Sequence, residues 1–295
     1  MTIQPVPPLR RSCLSVPGIN QRALEKTRSL DCDVVIFDLE DSVSSERKAE
    51  ARHTLRGFFE GTPPCLYERV IRINGLHTAE RQDDLRLVAE LQPDAVLLPK
   101  VESLAEIDSV AAFLKDASSE VRIWAMVETP MGILRLQDLA SGACGPQGRL
   151  DCFVVGLNDL RKETGVPERS GRVFLVPWMM QVVLAARAHG LNVIDSVFND
   201  FRNADAFAAE CAQGNAMGFD GKMLIHPTQI EVTNNSFGPS PEALVEAKAI
   251  IAAFAAPEAA MLNVINMNGR MIERLHLEQA EKLVARMDVI SCRKV

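Results

Sequence analysis

The amino-acid sequence predicts an α/β protein, a (β/α)8 TIM barrel with a C-terminal helical arm. Eight short apolar segments recur along the chain, and segments with helical periodicity separate them, as expected for a parallel sheet. The length of 295 residues suits one barrel of about 250 residues with a smaller tail. An open doubly wound sheet is the alternative, and the barrel is favoured because eight strands can be placed.

The predicted strands are apolar on both faces. Residues 34–37, 95–98 and 152–155 contain no polar side chain, which is typical of parallel strands that are covered on both sides. We predict strands at residues 12–16, 33–38, 69–73, 95–99, 122–127, 151–156, 192–195 and about 216–225.

Helix signals fall between these strands. Ser103 and Glu106 have capping-box spacing ahead of an apolar-periodic segment, which indicates a helix start. Further helices are predicted at residues 20–30, 44–58, 79–91, 130–140, 172–189 and 202–213.

The tail differs from the barrel in composition. Ser240, Pro241 and Glu242 provide an N-cap, a first-turn proline and a first-turn acid for a helix that extends to about residue 254. Residues 257–272 are rich in Met and Asn, and 274–289 are again helical in pattern. We therefore predict a barrel domain with a trailing helix at 1–256 and a C-terminal arm or lid at 257–295.

Composition excludes several classes of function. The net charge of -7 and pI near 5.4 argue against nucleic acid as a partner, although a local basic patch can still bind one phosphorylated ligand. The seven cysteines are scattered without zinc-site spacing, which indicates reduced thiols. No apolar run approaches the ~20 residues of a membrane span, and residues 1–10 lack the apolar core of a signal peptide. We expect a cytoplasmic protein without a membrane partner.

Polar residues follow the predicted strands. Because barrel enzymes form their sites at the C-terminal ends of strands, we expect these side chains to meet at one rim. In strand order they are Asp38, Glu40 and Asp41, then Arg72 and Asn74, then Lys100, Glu128, Asn158 with Asp159, and Asp195. No Gly-rich phosphate loop occurs, so nucleotide-dependent chemistry lacks support.

Glu128 and Asp159 follow neighbouring strands and form a candidate metal site. Two carboxylates, a chelating substrate and water would give the octahedral oxygen coordination that Mg²⁺ prefers. Each acid alone could instead cap the helix that follows it.

Arg72 lies between two isoleucines in a predicted strand, so its buried guanidinium needs an anionic partner. That partner could be a ligand, Glu40 or Asp41, and these alternatives are compatible.

Three carboxylates crowd the end of the second strand, which raises at least one pKa unless a cation balances them. Asp41 is our catalytic candidate among them. Lys100 could form a Schiff base, but a salt bridge is favoured.

Several motifs, in order along nearly the whole chain, resemble the family of citrate lyase beta subunits, malyl-CoA lyases and citramalyl-CoA lyases in the HpcH/HpaI aldolase superfamily. The motifs are Arg11-Ser12 with Val16-Pro17-Gly18, Asp38-Leu39-Glu40-Asp41-Ser42-Val43, Arg72-Ile73-Asn74, Leu98-Pro99-Lys100-Val101-Glu102, Glu128-Thr129, residues 156–160, and Gly221-Lys222 with Ile225-His226-Pro227 and Gln229-Ile230.

The resemblance implies a Mg²⁺ ion held by Glu128 and Asp159, a 2-oxo or 2-hydroxy acid that chelates it, and Arg72 beside the reacting oxygen. It also implies a coenzyme A thioester. The residues implied for its phosphates and its arm are Arg22, Lys26, Arg47 and Lys48, with Ser15, Ile225 and His226.

A lyase mechanism follows from these parts. A base removes the hydroxyl proton of a β-hydroxyacyl thioester, the bond to the thioester α-carbon breaks, and an enolate forms. Positive groups must stabilise the developing charge. Run backwards, the same site would catalyse a condensation.

The tail matches the family pattern only in part, and its final acid is a Glu. Where the resemblance implies an Asp as acid/base at the end of a D-G-K-M-I-D motif, this sequence has Asn268-Gly269-Arg270-Met271-Ile272-Glu273. We expect Glu273 to act as general acid/base, delivered by the arm onto a neighbouring subunit of a homo-oligomer (trimer or hexamer). Asp151 precedes the apolar run 152–155 and is expected at the opposite barrel end from Asp159.

Three functions remain open from the sequence. The first is a lyase for citramalyl-CoA, malyl-CoA or a similar acyl-CoA, and the second is a citrate lyase subunit whose thioester is carried by an acyl-carrier protein. The third is a paralogue that binds CoA without turnover, which the longer acid at residue 273 motivates.

Overall fold

The computed structural model describes residues 8–61, 65–117, 119–144, 148–259 and 262–293. The chain divides into two compact units, Arg10–Phe237 and a second unit that contains Gly238–Val295. The helix Pro241–Ala255 belongs to the second unit, whereas the predicted boundary at 256 would leave it with the barrel.

The first unit is a closed barrel of parallel strands in sequential order, in which β1 pairs with both β2 and β8. This confirms the predicted fold. The strands are β1 Ser12–Pro17, β2 Val34–Asp38, β3 Glu68–Arg72, β4 Ala95–Leu98, β5 Arg122–Val127, β6 Leu150–Val155, β7 Asn192–Asp195 and β8 Gly221–Leu224.

Helices surround the strands in this unit. They are α1 Gln21–Thr27, α2 Lys48–Glu60, α3 Arg81–Leu91, α4 Leu104–Asp116, α5 Pro130–Leu134, α6 Leu136–Ala140, α7 Leu157–Thr164, α8 Val176–Ala188, α9 Ala204–Met217 and α10 Ile230–Ser236. Ser103 accepts a hydrogen bond from the Glu106 amide, which confirms the predicted cap of α4. The sequence did not predict α7 or α10, and α9 extends into the segment assigned to the eighth strand.

The barrel strands alternate between two cores. Side chains such as Val34, Ile36 and Trp124 fill the interior, whereas Val35 and Phe37 pack under the helices. Because side chains alternate across a strand, a residue's position decides whether it faces the barrel axis or the helical layer.

The second unit contains α11 Pro241–Ala255, an antiparallel hairpin of β9 Val264–Met267 and β10 Arg270–Glu273, and α12 Arg274–Cys292. Ser240 caps α11 through its side chain, as predicted. Asn268 and Gly269 have positive φ angles of 53° and 79°, which suits the tight turn between the strands. The hairpin was not predicted. No described helix of either unit has both the length and the apolar character that a bilayer span requires.

Candidate active site

A cavity of about 330 Å³ opens where the barrel strands end at their C-termini. Its wall combines carboxylates and an arginine with apolar side chains from the barrel interior. The lining includes the predicted site residues Ser15, Asp41, Arg72, Glu128, Asp159 and Ile225, together with Asp38, Asn158 and Ser196. Most of the strand-end side chains therefore meet as predicted. The exceptions are Asp195 and Asn74, whose side-chain amide donates to the Leu39 carbonyl and to Asp84 instead.

Arg72 ends β3 and is 9% exposed. Its Nε and Nη2 atoms each donate to a different Asp38 carboxylate oxygen at 2.6 Å, and its Nη1 atom lies 3.1 Å from Glu40 Oε2. Burial alone would raise the pKa of Asp38, but the charge and hydrogen bonds of Arg72 outweigh burial and lower it. The expected ion pair with Glu40 is present, and Asp41 lies 3.9 Å away. The sequence analysis did not predict that Asp38 would be the main partner of Arg72.

Glu128 follows β5 and is 2% exposed. Burial, and then the nearby charge of Glu40, raise its pKa to about 8. Its Oε1 atom accepts a hydrogen bond from the Lys100 backbone N–H at 2.9 Å. Gly156 follows the next strand, and a Cβ atom there would overlap the Glu128 side chain. The position of Glu128 therefore requires glycine at 156.

Asp159 occupies the first turn of α7, where a helix N-terminus favours a negative charge. It lines the same cavity as Glu128, and its charge contributes to the raised pKa of Glu128. Carboxylates from adjacent strands in a site short of positive charge fit Mg²⁺, which needs only one or two protein carboxylates alongside water. In the described parts of the chain no three His, Cys, Asp or Glu side chains form a metal-binding group. Glu128 and Asp159 are the pair that would supply carboxylate ligands in this cavity.

Lys100 connects the carboxylates of the site. Its Nζ atom donates to Glu40 Oε1 at 2.8 Å and lies 3.9 Å from Asp159 Oδ1. Burial alone would lower the pKa of Lys100, but Glu40 raises it overall, so the amine stays charged. This confirms the favoured salt bridge. The φ angle of Lys100 is 51°, a left-handed conformation that lets its N–H point at Glu128.

A model of the HpcH/HpaI aldolase/citrate lyase family matches residues 11–227, nearly the whole barrel unit. The chain belongs to this family.

Relatives in the family carry different names. A (3S)-malyl-CoA thioesterase of Cereibacter sphaeroides is 41% identical over 95% of both chains. Human mitochondrial citramalyl-CoA lyase is 33% identical over 93% of this chain and 84% of its own. The crystal structure of CitE from Mycobacterium tuberculosis in complex with magnesium, acetoacetate and coenzyme A is 28% identical, has a TM-score of 0.76, and covers 93% of this chain and 97% of that chain.

The cations expected to contact CoA differ in environment in this HpcH/HpaI family member. Arg22 and Lys26 are exposed one helical turn apart on α1. Arg47 is also exposed and pairs with Glu50 at 2.8 Å. Lys48 is buried, and its ammonium group donates to the carbonyls of Leu39 and Glu40 at 2.8 and 2.7 Å. The first three can reach a phosphate in solvent, whereas Lys48 holds the loop that follows β2.

The other residues expected near the CoA arm lie around the cavity. Ser15 and Ile225 line it, and the ring of His226 stacks on Phe201 with centroids 4.6 Å apart. The backbone N–H groups of Ile225 and His226 both donate to Gln229 Oε1, at 2.9 and 3.1 Å. These amides therefore already have an acceptor within the protein.

Asp195, the last residue of β7, differs from expectation. Asp195 does not join the rim, because its carboxylate is buried outside the strands with Arg172 and Lys222. Its neighbour Ser196 lines the cavity instead. Strand alternation from Ile194, which faces the interior, could have predicted this from the sequence. Asp151, as expected, lies at the opposite end and pairs with Arg10.

Glu273 lies in the second unit. It is the last residue of β10 and the N-cap of α12, and its backbone N–H donates to His276 Nδ1 at 3.0 Å. Its role as acid/base stays a prediction.

Proposed function

We propose that this protein is a Mg²⁺-dependent carbon–carbon lyase that cleaves a β-hydroxyacyl-CoA thioester, of the citramalyl-CoA or malyl-CoA type, to acetyl-CoA and a 2-oxo acid. One observation carries the proposal. Glu128 and Asp159 line one cavity with Arg72, and the pKa of Glu128 is raised to about 8 by burial and by Glu40. These carboxylates would bind a cation favourably, and the fixed arginine beside them would stabilise the charge that develops during cleavage.

The residues of the site would have distinct roles in metal binding and in charge stabilisation. Glu128 and Asp159 would hold Mg²⁺, which supplies Lewis-acid polarisation of a chelating oxo or hydroxy acid. Arg72 would donate to the oxygen that becomes the ketone of the product. Asp38 fixes the guanidinium through two hydrogen bonds, so that its orientation is set before substrate binds.

Proton transfer needs a further group. During cleavage, the hydroxyl proton leaves to a base, the bond between the α- and β-carbons breaks, and its electron pair goes to the thioester as an enolate that is then protonated to acetyl-CoA. Glu273 is our acid/base candidate, and Asp41 is the second, because its side chain is 60% exposed beside the cavity. Arg22, Lys26 and Arg47 would contact the CoA phosphates.

Thioester hydrolysis is the second candidate function. It is favoured by the 41% identity to a protein named (3S)-malyl-CoA thioesterase. A carrier-protein thioester is a further possible substrate form, since a citrate lyase subunit beta of Leuconostoc mesenteroides is 28% identical. We propose a homo-oligomer in either case.

The products distinguish these functions. Purified protein is incubated with malyl-CoA or citramalyl-CoA and Mg²⁺, and the mixture is analysed by mass spectrometry and with a thiol reagent. A lyase yields acetyl-CoA and a 2-oxo acid without free thiol, whereas a thioesterase yields free CoA and the hydroxy acid. Binding of CoA with neither product would instead indicate a paralogue without turnover.

A further inference from the structure

The helix that carries Asp159 begins at a residue that cannot cap it. The N-cap of α7 is Gly156, which has no side chain to accept a hydrogen bond from the first turn. No other residue type fits there, because a Cβ atom would overlap Glu128. Because Glu128 requires glycine at 156, the helix that carries Asp159 has no side-chain cap from its own N-cap residue.

Ser196, which follows β7, provides the missing acceptor. Its Oγ atom accepts a hydrogen bond from the Leu157 backbone N–H, the first amide of α7, at 3.0 Å. Ser196 is 1% exposed and lines the cavity. An amide that would otherwise be buried without an acceptor is therefore satisfied from a neighbouring strand.

Ser196 is itself fixed by a buried ion cluster on the outside of the barrel. Its backbone N–H donates to Asp195 Oδ1 at 2.8 Å. Arg172 donates to both oxygens of that carboxylate, at 2.7 and 2.9 Å, and Lys222 donates at 3.0 Å. Asp195 and Lys222 are fully buried. Such a cluster leaves Ser196 little freedom to move.

We propose that Ser196 is a positioning residue that caps α7 from outside the helix and so holds Asp159 at the metal site. The inference rests on the proposed function, since it assumes that Asp159 binds the metal. Asp159 is the third residue of α7, so a shift of the first turn moves its carboxylate relative to Glu128. Removal of a residue that holds a metal ligand in place without touching the metal typically lowers metal affinity by about 10- to 100-fold.

The experiment measures Mn²⁺ binding to the full-length protein without any thioester, by titration calorimetry and by the electron paramagnetic resonance spectrum of the bound ion. Ser196→Ala is expected to weaken Mn²⁺ binding by about 10- to 100-fold and to broaden the spectrum. Ser103→Ala is the matched control, because Ser103 caps α4 with the same group. It should lower the melting temperature and leave Mn²⁺ affinity unchanged.

Ser196→Thr keeps the hydroxyl group and should return most of the affinity. An alanine variant that melts earlier but binds Mn²⁺ like the wild type would overturn the inference, as would a folded threonine variant that binds as weakly as alanine. The Glu128→Gln variant distinguishes failure of the inference about Ser196 from failure of the proposed function. If it binds Mn²⁺ as tightly as the wild type, the metal site itself is wrong, and the inference falls with it.

Discussion

The two ends of the barrel both bury an arginine among carboxylates, yet they differ in charge balance. At the N-terminal end, Arg10 donates to both oxygens of Glu68 and to Asp151, lies 4.6 Å over the Trp124 ring, and has Arg122 beside it. At the C-terminal end, Arg72 and Lys100 face five carboxylates among the described residues: Asp38, Glu40, Asp41, Glu128 and Asp159.

The difference separates a structural ion cluster from a functional one. The N-terminal cluster has nearly matched charges, with two arginines against Glu68 and Asp151. The C-terminal cluster keeps an excess of negative charge beside an open cavity, which is unfavourable in the protein alone and favourable once a cation binds. Buried charge by itself thus indicates little, whereas unbalanced buried charge beside a cavity indicates a site.

The largest expected effect comes from Glu128→Gln, which should abolish Mg²⁺-dependent activity, as should Asp159→Asn. The same Gln variant should stabilise the metal-free protein at pH 8. The folded-state pKa of Glu128 is raised from 4.5 to about 8, so stability that is present below pH 4.5 is lost as the pH rises through 8. A neutral side chain avoids that loss.

The control for Glu128→Gln lies at the other end. Asp151→Asn should keep activity and lower the melting temperature, because Arg10 then stays buried with one carboxylate fewer. Thermal melts of the three proteins with and without Mg²⁺ give the comparison. A Glu128→Gln protein that melts earlier than the wild type in metal-free buffer at pH 8 would contradict the charge argument.

Glu273→Gln tests whether the C-terminal end of the barrel completes the chemistry alone. We expect kcat to fall by about 10²- to 10⁴-fold, the usual contribution of a general acid/base, with Mn²⁺ affinity unchanged. Glu278→Gln, an exposed carboxylate on α12, is the control and should be neutral. Normal turnover by Glu273→Gln would transfer the role to a barrel residue such as Asp41.

A mixing experiment extends this test to the subunits. Glu273→Gln and Arg72→Ala proteins are co-refolded, and mixed oligomers are isolated by differential tags. Recovered activity is expected if the arm of one subunit serves the barrel of another. Inactive mixed oligomers would assign the arm to its own subunit.

Arg72→Lys should reduce kcat by about 100-fold or more, because a point charge on a flexible stem cannot replace a planar fork held by Asp38. Arg10→Lys makes the same substitution at the N-terminal end of the barrel, where the charges are nearly matched. It should lower the melting temperature while kcat stays near the wild-type value. A change confined to KM in Arg72→Lys would point to ground-state binding, and equal kcat losses in both variants would remove the distinction between the ends.

The smallest expected effect concerns the backbone at Lys100. Both Lys100→Gly and Lys100→Ala remove the ammonium group and should impair catalysis alike. The glycine variant should be more stable by about 1 kcal/mol, because glycine accepts a left-handed φ. Gln92, at the end of α3, also has a left-handed φ, of 48°, and serves as the control. Gln92→Gly should be more stable than Gln92→Ala, and neither should change the kinetics. Equal melting temperatures for the two Lys100 variants would argue against backbone strain.

Part of this molecule follows from the sequence. Apolar segments with strand length and the helical spacing between them predicted the closed barrel, and the rule that sites lie after parallel strands brought Arg72, Glu128 and Asp159 to one cavity. The position of Asp151 ahead of the apolar run 152–155 likewise predicted that it lies at the far end of the barrel.

Packing decided the rest. The sequence could not show that Asp38 is the main partner of Arg72, that Lys48 turns inward, or that Ser196 caps α7. The alternation of side chains along a strand predicts whether each one faces the barrel interior or packs under the helices. Hydrogen-bond partners depend instead on strand register, helix start and rotamer at a scale below 1 Å, and only the assembled barrel sets these.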